Sequence, residues 1–367
     1  MQENPELNKE KVLRHLCENC GANMIFDPQV GKLACPYCAH QKEIVRGETE
    51  IAERDYFSYL RPEPERLQLL AKEAMQVTCA SCGATVVFIP PQTAGNCDFC
   101  GGKFVAQPKS ADPLVAPESV LPFSVTNKQA VANLQAWTSS RWFAPSQLKS
   151  LAQHDKADSV YLPFWTFDAY AKTDYTGERG DNYQESQTYY ENGEQRERTE
   201  TKTRWYSAAG DVERQFDDVP VPATVSVLPA HLSNLQWNFN ELVPYEPAYL
   251  AGHKAQTYQV SLEEGFERFK QISEGTIIGD INRDIGGDRQ QIHTMHTDFS
   301  NITFKHLLVP VYAGAYRFNN KVYQIIVNGK TGEVYGERPY SWLKIGCLAI
   351  VILFILIIII AVAGLRR

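Results

Sequence analysis

Residues 17–38 read CENCGANMIFDPQVGKLACPYC, and residues 79–100 read CASCGATVVFIPPQTAGNCDFC. Each stretch holds two CxxC pairs separated by the same fourteen residues: Cys17, Cys20, Cys35 and Cys38 in the first, Cys79, Cys82, Cys97 and Cys100 in the second. Two such pairs at that separation supply four thiolates to one tetrahedral ion, the signature of a zinc ribbon. A segment of about 30 residues cannot bury enough apolar surface to fold alone, so a metal has to substitute for a core. The copies also match outside the cysteines: Cys20-Gly21-Ala22 aligns with Cys82-Gly83-Ala84, Phe26 with Phe88, and Tyr37 with Phe99. The aromatic inside each last CxxC is expected to lie on the hairpin of its own ribbon.

The competing use of eight cysteines is four disulfides, which requires an oxidising compartment. The start, MQENPELNKEKVLRH, is polar and has no apolar signal core, so it offers no route to such a compartment. Two structural Zn2+ sites are expected; iron in a rubredoxin-like site uses the same four-cysteine ligand set. A redox-active CxxC fits poorly, because the pairs come in matched sets and none opens a βαβ unit.

Working outward, residues 345–365 read IGCLAIVILFILIIIIAVAGL, without a charged residue. About 20 apolar residues span the hydrocarbon core as a helix, and Tyr340 and Trp342 precede the run where interfacial aromatics belong. Flanking Lys and Arg are balanced, so orientation rests on the thiolate ligands, which place the large N-terminal part in the cytosol. The ninth cysteine, Cys347, lies within the run.

The expected order is a zinc ribbon over 1–50, a helical connector over 51–76 with a helix from Glu65 to Gln76, and a second ribbon over 77–108. An extended linker over 109–120 leads to a domain over 121–340, a transmembrane helix over 343–365 and a tail of 366–367. Within the large domain, helices are expected at Asn127 to Thr138, capped by Thr126 or Asn127, at Pro145 to Gln153, and at Glu263 to Ile272. Val160 to Phe167 reads as strand. Asn192-Gly193 signals a hairpin, and Thr303 to Val334 offers strands joined at Asn319-Asn320 and Asn328-Gly329. The fold class is therefore two small four-cysteine zinc ribbons followed by an α+β, mainly antiparallel-β domain and one C-terminal transmembrane helix.

Catalytic constellations are weak. His293 and His296 do not fit HExxH spacing, and Gly329-Lys330-Thr331 lacks the first glycine of a phosphate loop. Asp217-Asp218 reads as a solvated acidic loop before it reads as a cation site. No enzyme activity and no small-molecule substrate are expected. The net charge is −7, whereas phosphate neutralisation demands a basic face, which disfavours nucleic acid as a partner.

The paired ribbons, the YLPFWTFDAYAKTDYTGERG stretch (161–180), FKHLLVPVY (304–312), VNGKTGEVYGERPYS (327–341) and the terminal apolar run together resemble bacterial membrane-anchored TFIIB-type zinc-ribbon proteins. Many of these carry the label "primosomal protein N′, superfamily II helicase". The resemblance implies a non-enzymatic, tail-anchored, zinc-binding adaptor or scaffold, single-pass in the bacterial inner (cytoplasmic) membrane. It also implies SPFH/flotillin-like or phage-shock-type protein partners in membrane stress. The helicase label finds no Walker A loop and no motor box in this chain. The alternative class is a membrane-tethered nucleic-acid-binding accessory factor.

Overall fold

The computed structural model describes residues 15–45, 51–61, 66–71, 74–89, 96–102, 109–111, 114–141, 157–191, 194–227, 231–232, 235–319, 321–337 and 342–365. The expected helix at 145–153 and the residues of the Asn192-Gly193 turn lie outside them.

The first ribbon is a three-stranded antiparallel sheet of β1 (Ile25–Asp27), β2 (Lys32–Ala34) and β3 (Gln41–Lys42). After it come β4 (Arg54–Asp55) and a single helical turn, α1 (Tyr56–Tyr59), capped by the Asp55 carboxylate. Among the described residues of 65–76 the expected helix is not formed. Leu67–Gln68 is instead strand β5, and Met75–Thr78 is strand β6, which pairs with β7 (Thr85–Phe88) as the hairpin of the second ribbon. Leu70 and Ala74, which suggested helical spacing, are buried singly in the main core. Tertiary burial overrides a partial period here.

The segment expected as a linker is extended, yet it is not a free tether. Its strands β8 (Lys109–Ser110), β9 (Leu114–Val115) and β10 (Ser119–Val120) pair with β6, β5 and the strand through Leu307-Leu308 respectively. Leu114, Val115 and Val120 are buried.

Helix α2 (Asn127–Ser139) is capped by Thr126, one of the two residues expected, in a capping box with Gln129 that the sequence reading did not include, and it buries Val131 and Leu134. The framework of the domain is two long strands joined as a hairpin, β11 (Asp158–Glu191) and β12 (Glu194–Pro222), paired down to Glu191 opposite Glu194. Behind β12, β13 (Val243–Pro244) pairs with β10, and β14 (Lys254–Gln256) runs parallel to β11. Helix α3 (Leu262–Ile285) is capped by Ser261 and stops at Gly286, whose φ is +67°. It continues well past the expected end at Ile272. The long β15 (Arg289–Phe318) then lies on the other edge of β11, and β16 (Lys321–Asn328) and β17 (Val334–Gly336) return by short turns. The pairing of Phe318 with Lys321 and the turn after Asn328 put strand reversals where the sequence places them.

All named pairings are antiparallel except β10 with β15 and β11 with β14. Val160 to Phe167 is buried on both faces of its strand, which explains the continuous apolar run there. Farther along, β11 turns small, with Ala169 and Ala171, because α3 lies across it with Phe266, Phe269 and Ile281. Gly265 permits this approach, since a Cβ there would lie 2.8 Å from the Trp165 ring.

Residues 342–365 form one helix, α4 (Trp342–Leu365). Among the described residues no helix is long and apolar enough to cross a membrane. Among the described α4 side chains, Leu348 and Ile350 to Ile358 are apolar and exposed, at 38% to 68%, and Ile345 is half-buried.

Candidate metal centres

Each ribbon brings its four cysteine sulfurs together. In the first, Cys17 Sγ lies 3.4 Å from Cys38 Sγ, and Cys20 Sγ lies 3.5 Å from Cys35 Sγ. In the second, Cys79 to Cys100 and Cys82 to Cys97 are both 3.6 Å. Within each set all four sulfurs lie within 4.8 Å of one another. A tetrahedral zinc with bonds of about 2.3 Å holds its sulfurs roughly 3.8 Å apart, whereas a disulfide needs about 2.05 Å. The geometry therefore fits two four-coordinate ions.

The local cause is a loop repeated four times. In every CxxC, the N–H of the residue four positions after the first cysteine donates to that cysteine's carbonyl: Gly21 to Cys17, Ala39 to Cys35, Gly83 to Cys79 and Gly101 to Cys97. All four of these residues have positive φ, and three of them are glycine. Each first cysteine also donates its own N–H to the carbonyl five residues on, at 2.7 to 2.8 Å. This reverse turn aims further N–H groups at sulfur. Those of Cys38 and Tyr37, working against burial, bring the Cys35 thiol down to about 6. Around Cys79 burial disfavours the thiolate, but the N–H groups of Cys82 and Ser81 outweigh it and lower the thiol to about 7. The Ala22 N–H favours a Cys20 thiolate, yet hydrogen bonds with Cys35 and Cys38 push that thiol up to about 12. Four thiolates this close ionise together only around a cation, which is the chemistry of a metal ligand set.

The two ribbons sit differently in the molecule. The second is built into the large sheet: β7 pairs with β14, and Thr257 N–H donates to Thr85 O at 3.1 Å. Asp98, inside the last CxxC, is fully buried and meets Lys254 Nζ at 2.8 Å, and Lys254 also reaches Asp158 at 3.3 Å. Phe99 is buried among Ile326, Val311 and Leu162, and its carbonyl accepts from Gln324 Nε2 at 2.8 Å. The first ribbon only leans on the domain. Phe26 N–H donates to Ala251 O at 2.9 Å, and its ring meets Tyr249 edge-on at 5.3 Å. Tyr37, the counterpart of Phe99, is 83% exposed. The two aromatics differ: Phe99 shares its buried cluster with Ala84 and Val86 of its own hairpin as well as with strands of the domain, whereas Tyr37 faces outward and not onto its hairpin as expected.

The weaker candidates resolve as structure. His293 and His296 stand on β15 near Glu178 and Asp298, with exposed side chains. Asn328 Oδ1 accepts from the N–H groups of Lys330 and Thr331, so Gly329-Lys330-Thr331 is a turn. Asp218 belongs to β12, not to a loop, and the cation beside it is Lys305 Nζ at 2.5 Å. Sequence reading missed the polar groups around that lysine, most of them buried. Asp168 and Glu53 flank it, and Glu118 pairs with Arg54 beside the buried His306. Their partners lie 50 or more residues away in sequence, and no spacing signal connects them.

Fold and sites together define a mostly antiparallel-β protein with two tetracysteine groups suited to metal ions. No family model matches the chain, and no solved structure matches it. It is similar to "Uncharacterized protein YdjG" of Bacillus subtilis (strain 168), 26% identical over 332 residues that cover 90% of this chain and 91% of that protein.

Proposed function

We propose that the chain is a tail-anchored zinc-binding adaptor of the bacterial inner membrane, with its ribbons and β-rich domain in the cytosol and α4 in the bilayer. The observation that carries the docking role is the contrast between Tyr37 and Phe99. One aromatic of the matched pair is spent inside the domain, while the other is presented to solvent with Leu16, Val30 and Val45, all at least 40% exposed. An apolar group on a metal-stapled, rigid head suits a protein partner. Membrane anchoring is supported by α4, because ten large apolar side chains in water forgo on the order of 10 kcal/mol of burial. Zinc fills both sites as a structural ion, and SPFH-type or phage-shock-type proteins are the first partners to test.

The test is affinity purification of the full chain from detergent extracts, beside Tyr37→Ala. A stoichiometric protein partner that is lost in the variant, with two zinc ions retained per chain, supports the proposal. Iron in the sites removes the zinc assignment. Partners unchanged by Tyr37→Ala remove the first ribbon as the docking head, and salt-sensitive nucleic acid in place of protein removes the adaptor role.

A further inference from the structure

The β11–β12 hairpin outruns the sheet that supports it. β15 begins at Arg289, opposite Gly180, so residues 181–191 and 194–204 are paired only with each other. Eleven residues at about 3.3 Å make a two-stranded arm roughly 36 Å long. Two strands alone in water are marginally stable. Helix α3 ends at Ile285, before it could cover this arm, and Tyr183, Tyr189, Tyr190, Trp205 and Tyr206 are exposed. Among the described residues β12 pairs with β11 alone. Its other edge offers a row of backbone donors and acceptors to a further strand.

We propose that this edge is completed by the same edge of a second copy of the chain, β12 against β12 antiparallel, about a two-fold axis at Thr199. Charge selects this occupant. Residues 194–204 read EQRERTETKTR. Inverted on itself about Thr199, the strand sets Arg198 opposite Glu200 of the second copy, and Glu194 opposite Arg204, each pair occurring twice by symmetry. A single repeated pair, Arg196 with Lys202, opposes like charges. The partner strand β11 is unsuited to the same use: residues 181–191 read DNYQESQTYYE, with three acids and no base. Inverted about its centre, it would set Asp181 against Glu191. At the proposed axis Thr199, Thr201 and Thr203 are uncharged and β-branched, suited to a strand packed beside another. An isologous contact of this kind closes as a dimer, not a filament. It joins two two-stranded arms into one four-stranded sheet, and it does not depend on the adaptor reading.

Sedimentation velocity of the full chain in nonionic detergent, over a concentration series, tests it. A dimer is expected that weakens at about 0.5 M salt, where charge interactions are screened. Arg198→Glu alone and Glu200→Arg alone each raise the dissociation constant about tenfold. Arg198→Glu combined with Glu200→Arg restores it to within about threefold, because the exchanged charges again face each other. Unchanged circular dichroism and two metal ions per chain show that the variants fold. A monomer at every concentration, a dimer indifferent to the single substitutions, or a double variant that stays dissociated overturns the proposal. A monomer that gains a strand from another protein counts among the overturning results.

Discussion

Cys17, Cys20, Cys35 and Cys38 and their four counterparts were legible as two sets suited to a metal ion, because a tetrahedral ion tolerates very few spacings. The buried titratable residues were not. His306 is an ordinary histidine in sequence, yet it is fully enclosed: Nδ1 bonds Val115 O at 2.7 Å and the ring lies 4.8 Å from Trp165. Burial holds its pKa down at about 3. The imidazole is therefore neutral in the fold, while in the unfolded chain it takes a proton near pH 6.5. Its contribution is complete above about pH 6.5 and is lost as pH falls toward 3, at up to about 1.4 kcal/mol per pH unit. Glu118, pushed up to about 7 chiefly by burial, works in the opposite sense, so the informative quantity is a difference between chains. His306→Asn keeps a donor for the Val115 carbonyl. Urea unfolding between pH 7 and 4.5 should show a shallower acid loss for this variant than for the native chain; parallel curves would contradict the assignment.

Among the elements, hairpins were the best predicted. Glu191 pairs with Glu194 and Phe318 with Lys321, the strand reversals that Asn192-Gly193 and Asn319-Asn320 favour through local backbone preference, and α2 starts at Thr126, one of its two expected caps. The helix expected from Glu65 to Gln76 failed because apolar spacing there serves contacts with distant elements. Lys254 on β14 illustrates such a contact. Its ammonium is the buried partner of Asp98 Oδ1, while Asp98 Oδ2 has no hydrogen-bond partner among the described residues. Removing one member of a buried pair leaves an uncompensated charge and typically costs about 3–5 kcal/mol. Lys254→Met should therefore lower stability to urea by about that amount. Adding Asp98→Asn should recover part of the loss, which separates the ion pair from simple packing. Equal losses in the single and double variants would refute the role given to the pair.

At the scale of the whole molecule, the second ribbon is part of the large sheet and the first is a head resting on it. The apolar helix α4 stands outside every core. If it lies in a bilayer, two arginines at its centre are poorly tolerated, each costing about 2.5–3.5 kcal/mol. Leu353→Arg with Ile357→Arg should move the chain from the membrane pellet to the supernatant on cell fractionation. Retention in the pellet after high-salt and carbonate washes would count against α4 as the anchor.

The sequence by itself determined the two ligand sets, the turns, the caps and the apolar run, because each is written in short-range spacing or local composition. Only the tertiary structure decided that the matched ribbons are unequal. Phe99 and Tyr37 occupy the same place in their repeats, and nothing within either repeat distinguishes their fates. What differs is the surface each ribbon meets: β14, Gln324 and Lys254 enclose the second, while the first touches the domain through Phe26 and its neighbours. Burial is a property of the assembled neighbours, and those neighbours are supplied by strands that lie well over a hundred residues away.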